Sequence, residues 1–121
     1  MKKKILCIDD SLTALLLLEY ALNEAGYENY SAKSVDEAIT IIEKQIPDLI
    51  LLDLSMPDIS GYDFLGMREK LKIENVTIIV ISAYDSQNSL DMIHKLGVND
   101  FIPKPIKIDE VLKRIRQYLE P

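Results

Sequence analysis

Short, continuous apolar runs alternate with longer amphipathic segments along the chain, and this alternation restricts the fold more than any other feature. Five segments have the length of a strand, at residues 4–8, 27–32, 48–53, 76–82 and 98–102, and of these 27–32 is a weak strand pattern with polar residues in it. Each is followed by a segment in which apolar residues recur at helical spacing. Strands that are apolar at consecutive positions are buried on both faces, which requires helices on both sides of a parallel sheet. We therefore predict an α/β fold, a doubly wound five-stranded parallel sheet, in a single domain over residues 1–121.

Capping residues and helix breakers give the limits of the predicted helices. Ser34 with Glu37 three residues later is a capping-box pattern at a helix start. Gly26, Pro47 and Gly97 end the first, second and fourth helices. The predicted helices are residues 11–25, 34–46, 61 to about 72, 85–96 and 108–119.

Charge and cysteine content exclude several classes of protein. The net charge of −6 argues against direct nucleic-acid binding, because contacts to phosphates need a basic surface. The longest apolar runs are far too short to cross a bilayer, so we expect no membrane insertion. Cys7 is the only cysteine and lies within the first apolar run, which predicts a buried structural thiol. A chain that cannot form an internal disulfide is expected in the reducing cytoplasm.

Reactive polar residues follow or end four of the predicted strands. They are Asp9 and Asp10, Asp53, Ser82 and Lys104. The carboxyl ends of parallel strands share one edge of the sheet, so these side chains are expected to converge. Three adjacent carboxylates repel one another and become protonated unless a cation neutralises them. Mg²⁺ is the expected cation because it prefers oxygen ligands, and Mn²⁺ could take its place. A carboxylate can act as a nucleophile in phosphoryl transfer, with the metal and the lysine stabilising charge and the hydroxyl donating to a phosphoryl oxygen.

Each of these residues also has a simpler structural interpretation when it is taken alone. Asp10 before Ser11 could be part of a helix cap, Ser82 could start a turn, and Lys104 could belong to an ordinary loop. Five suitable groups at four strand ends are difficult to attribute to capping and turns. Their combination indicates a functional site.

The chain resembles the response-regulator receiver family over essentially its whole length. The residues that carry the resemblance are 7–10 (CIDD), 51–57 (LLDLSMP) with Gly61 following, 80–83 (VISA) and 97–105 (GVNDFIPKP). The resemblance implies a (βα)5, flavodoxin-like fold, similar to that of chemotaxis-type regulators. By similarity Asp53 is the phosphoacceptor, and Asp9, Asp10, Asp53 and the backbone carbonyl of Ser55 surround the Mg²⁺.

The same resemblance implies a switch and its partners. Ser82 matches the switch hydroxyl, Phe101 the switch aromatic residue and Lys104 the lysine that contacts the phosphate, and the bond before Pro105 would be cis. The phosphoryl donor would be a phosphohistidine on a sensor histidine kinase or a histidine phosphotransfer protein. Phosphorylation would pull Ser82 and Phe101 inward and reshape the face formed by the fourth helix, fifth strand and fifth helix. We expect this face to pass the signal on through contact with another protein. We expect no enzymatic activity beyond self-phosphorylation and self-dephosphorylation. The sequence is compatible with a stand-alone regulator and with part of a longer one.

The sequence departs from the usual family pattern around the switch. Phe101 lacks the hydroxyl of the tyrosine that many receivers carry, and Pro103 stiffens the loop before Lys104. Ser55 is small and Tyr84 is large at the two positions that, in this family, flank the path of the hydrolytic water. We hypothesise that Tyr84 shields the phosphoryl group and prolongs its lifetime.

The first predicted helix carries a possible docking patch. One broad face, expected to be buried, consists of Leu17, Leu18, Ala21, Leu22 and Ala25. Leu12 and Leu16 fall instead on the side expected to face water. Isolated exposed leucines are common. Because this helix borders the site and helps to dock the kinase in the family, a partner patch at these two leucines is our alternative hypothesis.

Three other functions are compatible with parts of the pattern. A degenerate receiver could act only as a binding platform, although all five site groups are present. A phosphohydrolase with an aspartate nucleophile would need a second aspartate, as acid and base, two residues after Asp53. This chain has Ser55 at that position. A flavin binder of the same topology would need a glycine- and hydroxyl-rich loop where Asp9 and Asp10 lie.

Overall fold

Five strands and five helices alternate along the part of the chain that the computed structural model describes, residues 2–54, 61–83 and 89–120. The strands are β1 Lys4–Ile8, β2 Glu28–Ala32, β3 Leu49–Asp53, β4 Thr77–Ser82 and β5 Asp100–Pro103. The helices are α1 Leu12–Glu24, α2 Val35–Lys44, α3 Gly61–Leu65, α4 Ser89–Leu96 and α5 Ile108–Leu119. The alternation confirms the β-α order that the sequence predicts.

The strands form a single sheet in the order β2-β1-β3-β4-β5, and every neighbouring pair is parallel. The predicted fold class is therefore confirmed. The chain leaves β1 toward β2 on one side and later places β3 on the other side of β1. Ligands of open α/β sheets bind at such a reversal, beyond the carboxyl ends of the strands. In this chain the reversal lies between the ends of β1 and β3.

The sheet separates two hydrophobic clusters, one on each face. Successive strand residues point to opposite faces, so Ile5 and Cys7 join the cluster under α1 and α5. Leu6 and Ile8 join the cluster under α2, α3 and α4. Cys7 is buried as predicted, and burial, together with the charge of Asp9, raises its pKa to about 12. The thiol therefore stays protonated and has a structural role.

Serine caps begin the first two helices; the cap at Ser34 is the predicted one, while the cap of α1 is Ser11 and not Asp10. The Ser11 hydroxyl accepts a hydrogen bond from the Ala14 N–H at 3.2 Å. The Ser34 hydroxyl accepts one from the Glu37 N–H at 3.1 Å, while the Glu37 carboxylate accepts one from the Lys33 N–H at 3.0 Å. These bonds satisfy N–H groups that have no partner within the helix. Across the described residues, no helix combines the length and the apolar character that a membrane span requires.

The end of the third helix differs from the prediction. The helix that was predicted to continue to about residue 72 ends at Leu65. Gly66, a poor helix former, follows directly, and its N–H donates to Asp63 O, three residues earlier, at 3.1 Å. The chain continues in turns up to Lys72, whose φ is +62°. In the described part of the chain α4 begins at Ser89, and the predicted helical residues 85–88 lie outside it.

The buried face of α1 is rotated relative to the prediction. It is centred on Leu15, Leu18 and Leu22, which are at most 2% exposed. Leu17 was predicted to be buried and is 46% exposed, so that prediction is wrong. The spacing of three and four residues between the buried leucines fixes this face and leaves Leu17 at its margin, toward α5.

Candidate metal centre

Three aspartates meet where β1 and β3 end. Asp9 and Asp10 follow β1, and Asp53 is the last residue of β3. The two strands pair in parallel with Ile8 beside Leu52, which places the next residues of both strands side by side. One carboxylate oxygen from each aspartate lies within 4.8 Å of the others. The structure therefore brings together the three carboxylates that the sequence singled out.

Burial makes this carboxylate cluster electrostatically costly. Asp9 is 3% exposed and Asp53 is 2% exposed, while Asp10 is exposed. Burial raises the pKa of Asp9, and the nearby charges of Asp53 and Asp10 raise it further. A hydrogen bond from the Ser11 N–H at 2.9 Å and the charge of Lys104 act in the opposite direction. The site therefore favours a bound positive charge when all three carboxylates are ionised.

Lys104 supplies one positive charge to the cluster. Its Nζ lies 3.3 Å from Oδ2 of Asp53 and forms an ion pair with it. The backbone holds the lysine in place, because its N–H donates to the Ser82 carbonyl at 2.7 Å. The peptide bond from Lys104 to Pro105 is cis. One lysine facing three carboxylates still leaves an excess of negative charge.

The donor set fits a hard divalent cation. Carboxylate oxygens are ligands that Mg²⁺ prefers, and Mg²⁺ commonly uses one or two carboxylates together with water and phosphate oxygens. Asp10, the exposed member, lies on the side open to solvent. The backbone carbonyl of Ser55, predicted as a further ligand, lies outside the described residues, and so does Tyr84.

Gly61, which follows the motif at residues 51–57, permits a close approach beside the site. A Cβ atom at Gly61 would lie 2.9 Å from Cα of Leu54 and 3.0 Å from the carbonyl oxygen of Asp53. Real side chains do not tolerate a backbone contact of 2.9 Å. Glycine at this position therefore lets α3 pack directly against the backbone that follows the central aspartate.

The two predicted switch residues lie in the interior next to this edge. Ser82 ends β4 and is 1% exposed. Phe101 is 3% exposed, pairs with Val80 across the sheet and packs in the cluster under α2, α3 and α4. Both side chains are therefore already inside in this structure.

Sequence reasoning missed an ionic link between β5 and α5. Arg114 donates to Oδ1 of Asp100 at 2.7 Å and to Oε1 of Glu110 at 2.8 Å. The same Asp100 oxygen accepts the Phe101 N–H at 2.8 Å, so the link reaches the predicted switch residue. The i,i+4 spacing of Glu110 and Arg114 was a signal that could have revealed half of it.

The proposed docking leucines are exposed on α1. Leu12 is 52% exposed and Leu16 is 56% exposed. Leu12 lies two residues after Asp10, so this end of α1 adjoins the carboxylate cluster. The structure places the two leucines where a protein approaching the site could touch them.

Comparison with known proteins agrees with this geometry. The model of the response regulator receiver domain family matches residues 5–116. Sporulation initiation phosphotransferase F of Bacillus subtilis is 34% identical over 119 residues, which are 98% of this chain and 95% of that protein. A probable transcriptional regulator, ycf27, of Porphyridium aerugineum is 37% identical, and the match covers 98% of this chain but 48% of that protein.

Solved structures give the same result. Chemotaxis protein CheY4 of Vibrio cholerae superposes with a TM-score of 0.88 at 25% identity, covering 98% of this chain and 100% of that one. Response regulator TrrA of Thermotoga maritima, solved in complex with Mg²⁺ and BeF, has a TM-score of 0.80 at 32% identity, covering 97% and 99%. With the sheet order, the carboxylate cluster and the family match in agreement, this chain belongs to the response regulator receiver domain family of two-component signalling.

Proposed function

We propose that Asp53 accepts a phosphoryl group from a phosphohistidine, carried by a sensor histidine kinase or a histidine phosphotransfer protein. Asp9, Asp10, Asp53 and the Ser55 carbonyl would hold the Mg²⁺. The observation that carries the proposal is the cluster of three carboxylates within 4.8 Å, with Lys104 3.3 Å from Asp53. TrrA, solved with Mg²⁺ and BeF, supports the choice of metal.

The transfer itself exchanges one bond for another at phosphorus. A carboxylate oxygen of Asp53 attacks the phosphorus atom, the bond from phosphorus to the histidine nitrogen breaks, and its electron pair returns to the imidazole. The bound Mg²⁺ would supply charge neutralisation for the phosphoryl oxygens. Lys104 is placed to balance further negative charge, and the Ser82 hydroxyl can donate a hydrogen bond to a phosphoryl oxygen.

The switch would follow from the same contacts. As Ser82 moves toward the phosphoryl group, the α4-β5-α5 face would change, and we propose that a downstream protein binds there. The Ser82 carbonyl accepts the Lys104 N–H at 2.7 Å, so the two residues are coupled through the backbone. Phe101 would contribute by packing, since it has no hydroxyl to offer a partner. We propose that residues 1–121 form one domain. We also propose that it catalyses nothing beyond its own phosphorylation and dephosphorylation. Its cytoplasmic location stays a prediction.

Beryllofluoride, an analogue of the phosphoryl group, tests this function. With Mg²⁺ present, we expect it to shift the backbone amide resonances of Ser82, Phe101 and Lys104 in nuclear magnetic resonance spectra. The shifts should vanish in Asp53→Asn and when Mg²⁺ is omitted, but persist in Asp36→Asn, which changes an exposed aspartate on α2. An unchanged response in Asp53→Asn would refute the proposed acceptor.

The exposed leucines at the start of α1 give a second test, which concerns the phosphodonor. Leu16→Glu should leave folding and phosphorylation by a small acyl phosphate intact, but slow transfer from the cognate histidine protein by roughly tenfold or more. Transfer rates measured with radiolabelled donor protein check this. Ile46→Glu is the matched control, because Ile46 is also an exposed hydrophobic residue but lies after α2. Equal transfer rates in both variants would remove Leu12 and Leu16 from the docking surface.

The lifetime of the phosphoryl group gives a third test. If Tyr84 shields the acyl phosphate from water, Tyr84→Ala should lose phosphate faster than the wild-type chain after the donor is removed. The decay is followed by intact-mass measurement over time. Slower decay in Tyr84→Ala than in wild type would show that the tyrosine does not shield the group.

A further inference from the structure

A groove with apolar walls, exposed on α1 and half-buried on α5, runs between the two helices. Of the six large hydrophobic residues that are exposed in the described part of the chain, four belong to α1. Two of these, Leu17 and Tyr20, are 46% and 70% exposed and line one wall. Ile108 and Leu112 of α5 line the other wall, and the groove volume is about 450 Å³. Contiguous apolar surface of this kind commonly marks a site of protein contact.

The two walls of the groove carry opposite charge at corresponding positions. Glu24 lies at the end of the α1 wall, and Arg116 lies on the α5 wall. All charged residues of α1 are acidic, namely Glu19 and Glu24. Within the described ranges, the ion pairs closer than 4.0 Å involve Lys104 and Arg114, so Glu24 and Arg116 do not pair with each other inside one chain. Each is available to a partner of the opposite sign.

This arrangement is self-complementary under a two-fold axis. Both helices lie over the same face of the sheet. Their C-terminal ends lie together, because the hydroxyl of Tyr27, shortly after α1, donates to the carboxylate of Glu120, directly after α5. The two helices that line the groove therefore point in the same direction, with Glu24 and Arg116 both near this end. A two-fold axis along the groove would set α1 of one copy against α5 of the other at the same level. Glu24 would then face Arg116 of the second copy, and Leu17 and Tyr20 would face its apolar α5 wall. Such an interface is isologous and buries four helices together.

We propose that the groove between α1 and α5 is the interface of a symmetric homodimer of this chain. A second copy is the occupant that offers both an apolar wall and the opposite charge at the matching level. The groove includes none of Asp9, Asp10, Asp53 or Lys104, and it excludes the docking leucines Leu12 and Leu16. The dimer therefore goes beyond the proposed phosphoacceptor function, and either can fail without the other.

Charge reversal combined with mixing tests the interface. The wild-type chain should show a dimer that grows with concentration in sedimentation-velocity experiments. Glu24→Arg and Arg116→Glu should each weaken dimerisation by roughly tenfold or more, since each homodimer would then hold like charges face to face. An equimolar mixture of the two variants should regain the dimer, because both charge pairs are restored between different chains.

A matched control variant and three possible outcomes decide whether the groove is a dimer interface. Glu43→Arg makes the same change on α2, an exposed position over the other face of the sheet, and should dimerise like wild type. Circular dichroism establishes that each variant is folded. A wild-type chain that is monomeric at every concentration overturns the proposal and leaves the groove to a different protein. A dimer that is indifferent to both charge reversals, or a mixture of the variants that stays monomeric, overturns it equally.

Discussion

Replacing Lys104 by alanine is expected to slow phosphorylation of Asp53 by a small acyl phosphate about 10²–10³-fold, the usual cost of removing one group that stabilises developing charge. The lysine ammonium lies 3.3 Å from the carboxylate that would attack phosphorus. The side chain is about two-thirds buried, so bulk water replaces its charge poorly. Its removal would leave the three carboxylates to depend on the proposed metal ion alone for neutralisation.

The rate of mass increase under a small acyl phosphate with saturating Mg²⁺ measures this effect. Lys107→Ala is the matched control, because Lys107 lies three residues further along the same connection and is exposed. It is expected to react at the wild-type rate. Equal rates in Lys104→Ala and Lys107→Ala would show that proximity to Asp53 does not make the lysine part of the chemistry.

Replacing Leu22 by alanine is expected to lower the free energy of unfolding by about 2–5 kcal/mol, because the truncation leaves a cavity in a packed interior. Leu22 is fully buried in the cluster under α1 and α5. Leu16→Ala makes the same chemical change in the same helix at a side chain that is 56% exposed. That control should change the free energy of unfolding by less than about 0.5 kcal/mol.

Urea unfolding followed by circular dichroism measures both variants. Comparable destabilisation by the two substitutions would mean that α1 packs on the sheet through a different face. Comparing Leu22→Ala with Leu16→Ala also tests the proposed docking role of Leu16. A leucine that is exposed for a partner must contribute little to the stability of the isolated chain.

The strands and the site were predictable from the sequence for one shared physical reason. Continuous apolar runs such as 78–81 can be satisfied only by burial on both faces, which selects a parallel sheet covered by helices. In such a sheet, residues that end different strands must lie at one edge. Asp9, Asp53 and Lys104 are therefore close in space although they are far apart in the sequence.

The features that sequence reasoning missed depend on packing between elements. Apolar spacing alone allowed Leu17 to share the buried face of α1, but the position of α5 leaves this leucine at the edge of the groove. The end of α3 likewise depends on where the chain must turn back toward β4, and the pattern from 61 to 72 stays compatible with a longer helix. The contact of Arg114 with Asp100 joins two elements whose mutual position follows only from the completed sheet.

Phosphorylation of the intact chain tests the central claim most directly. The wild-type chain and Asp53→Asn would each be incubated with a small acyl phosphate, with Mg²⁺ or with a chelator, and examined by intact-mass and peptide-mapping mass spectrometry. We predict that wild type gains one phosphoryl group, only with Mg²⁺, in the peptide that contains Asp53, and that Asp53→Asn gains none. Modification of Asp53→Asn to the same extent, or no modification of wild type, would contradict the account.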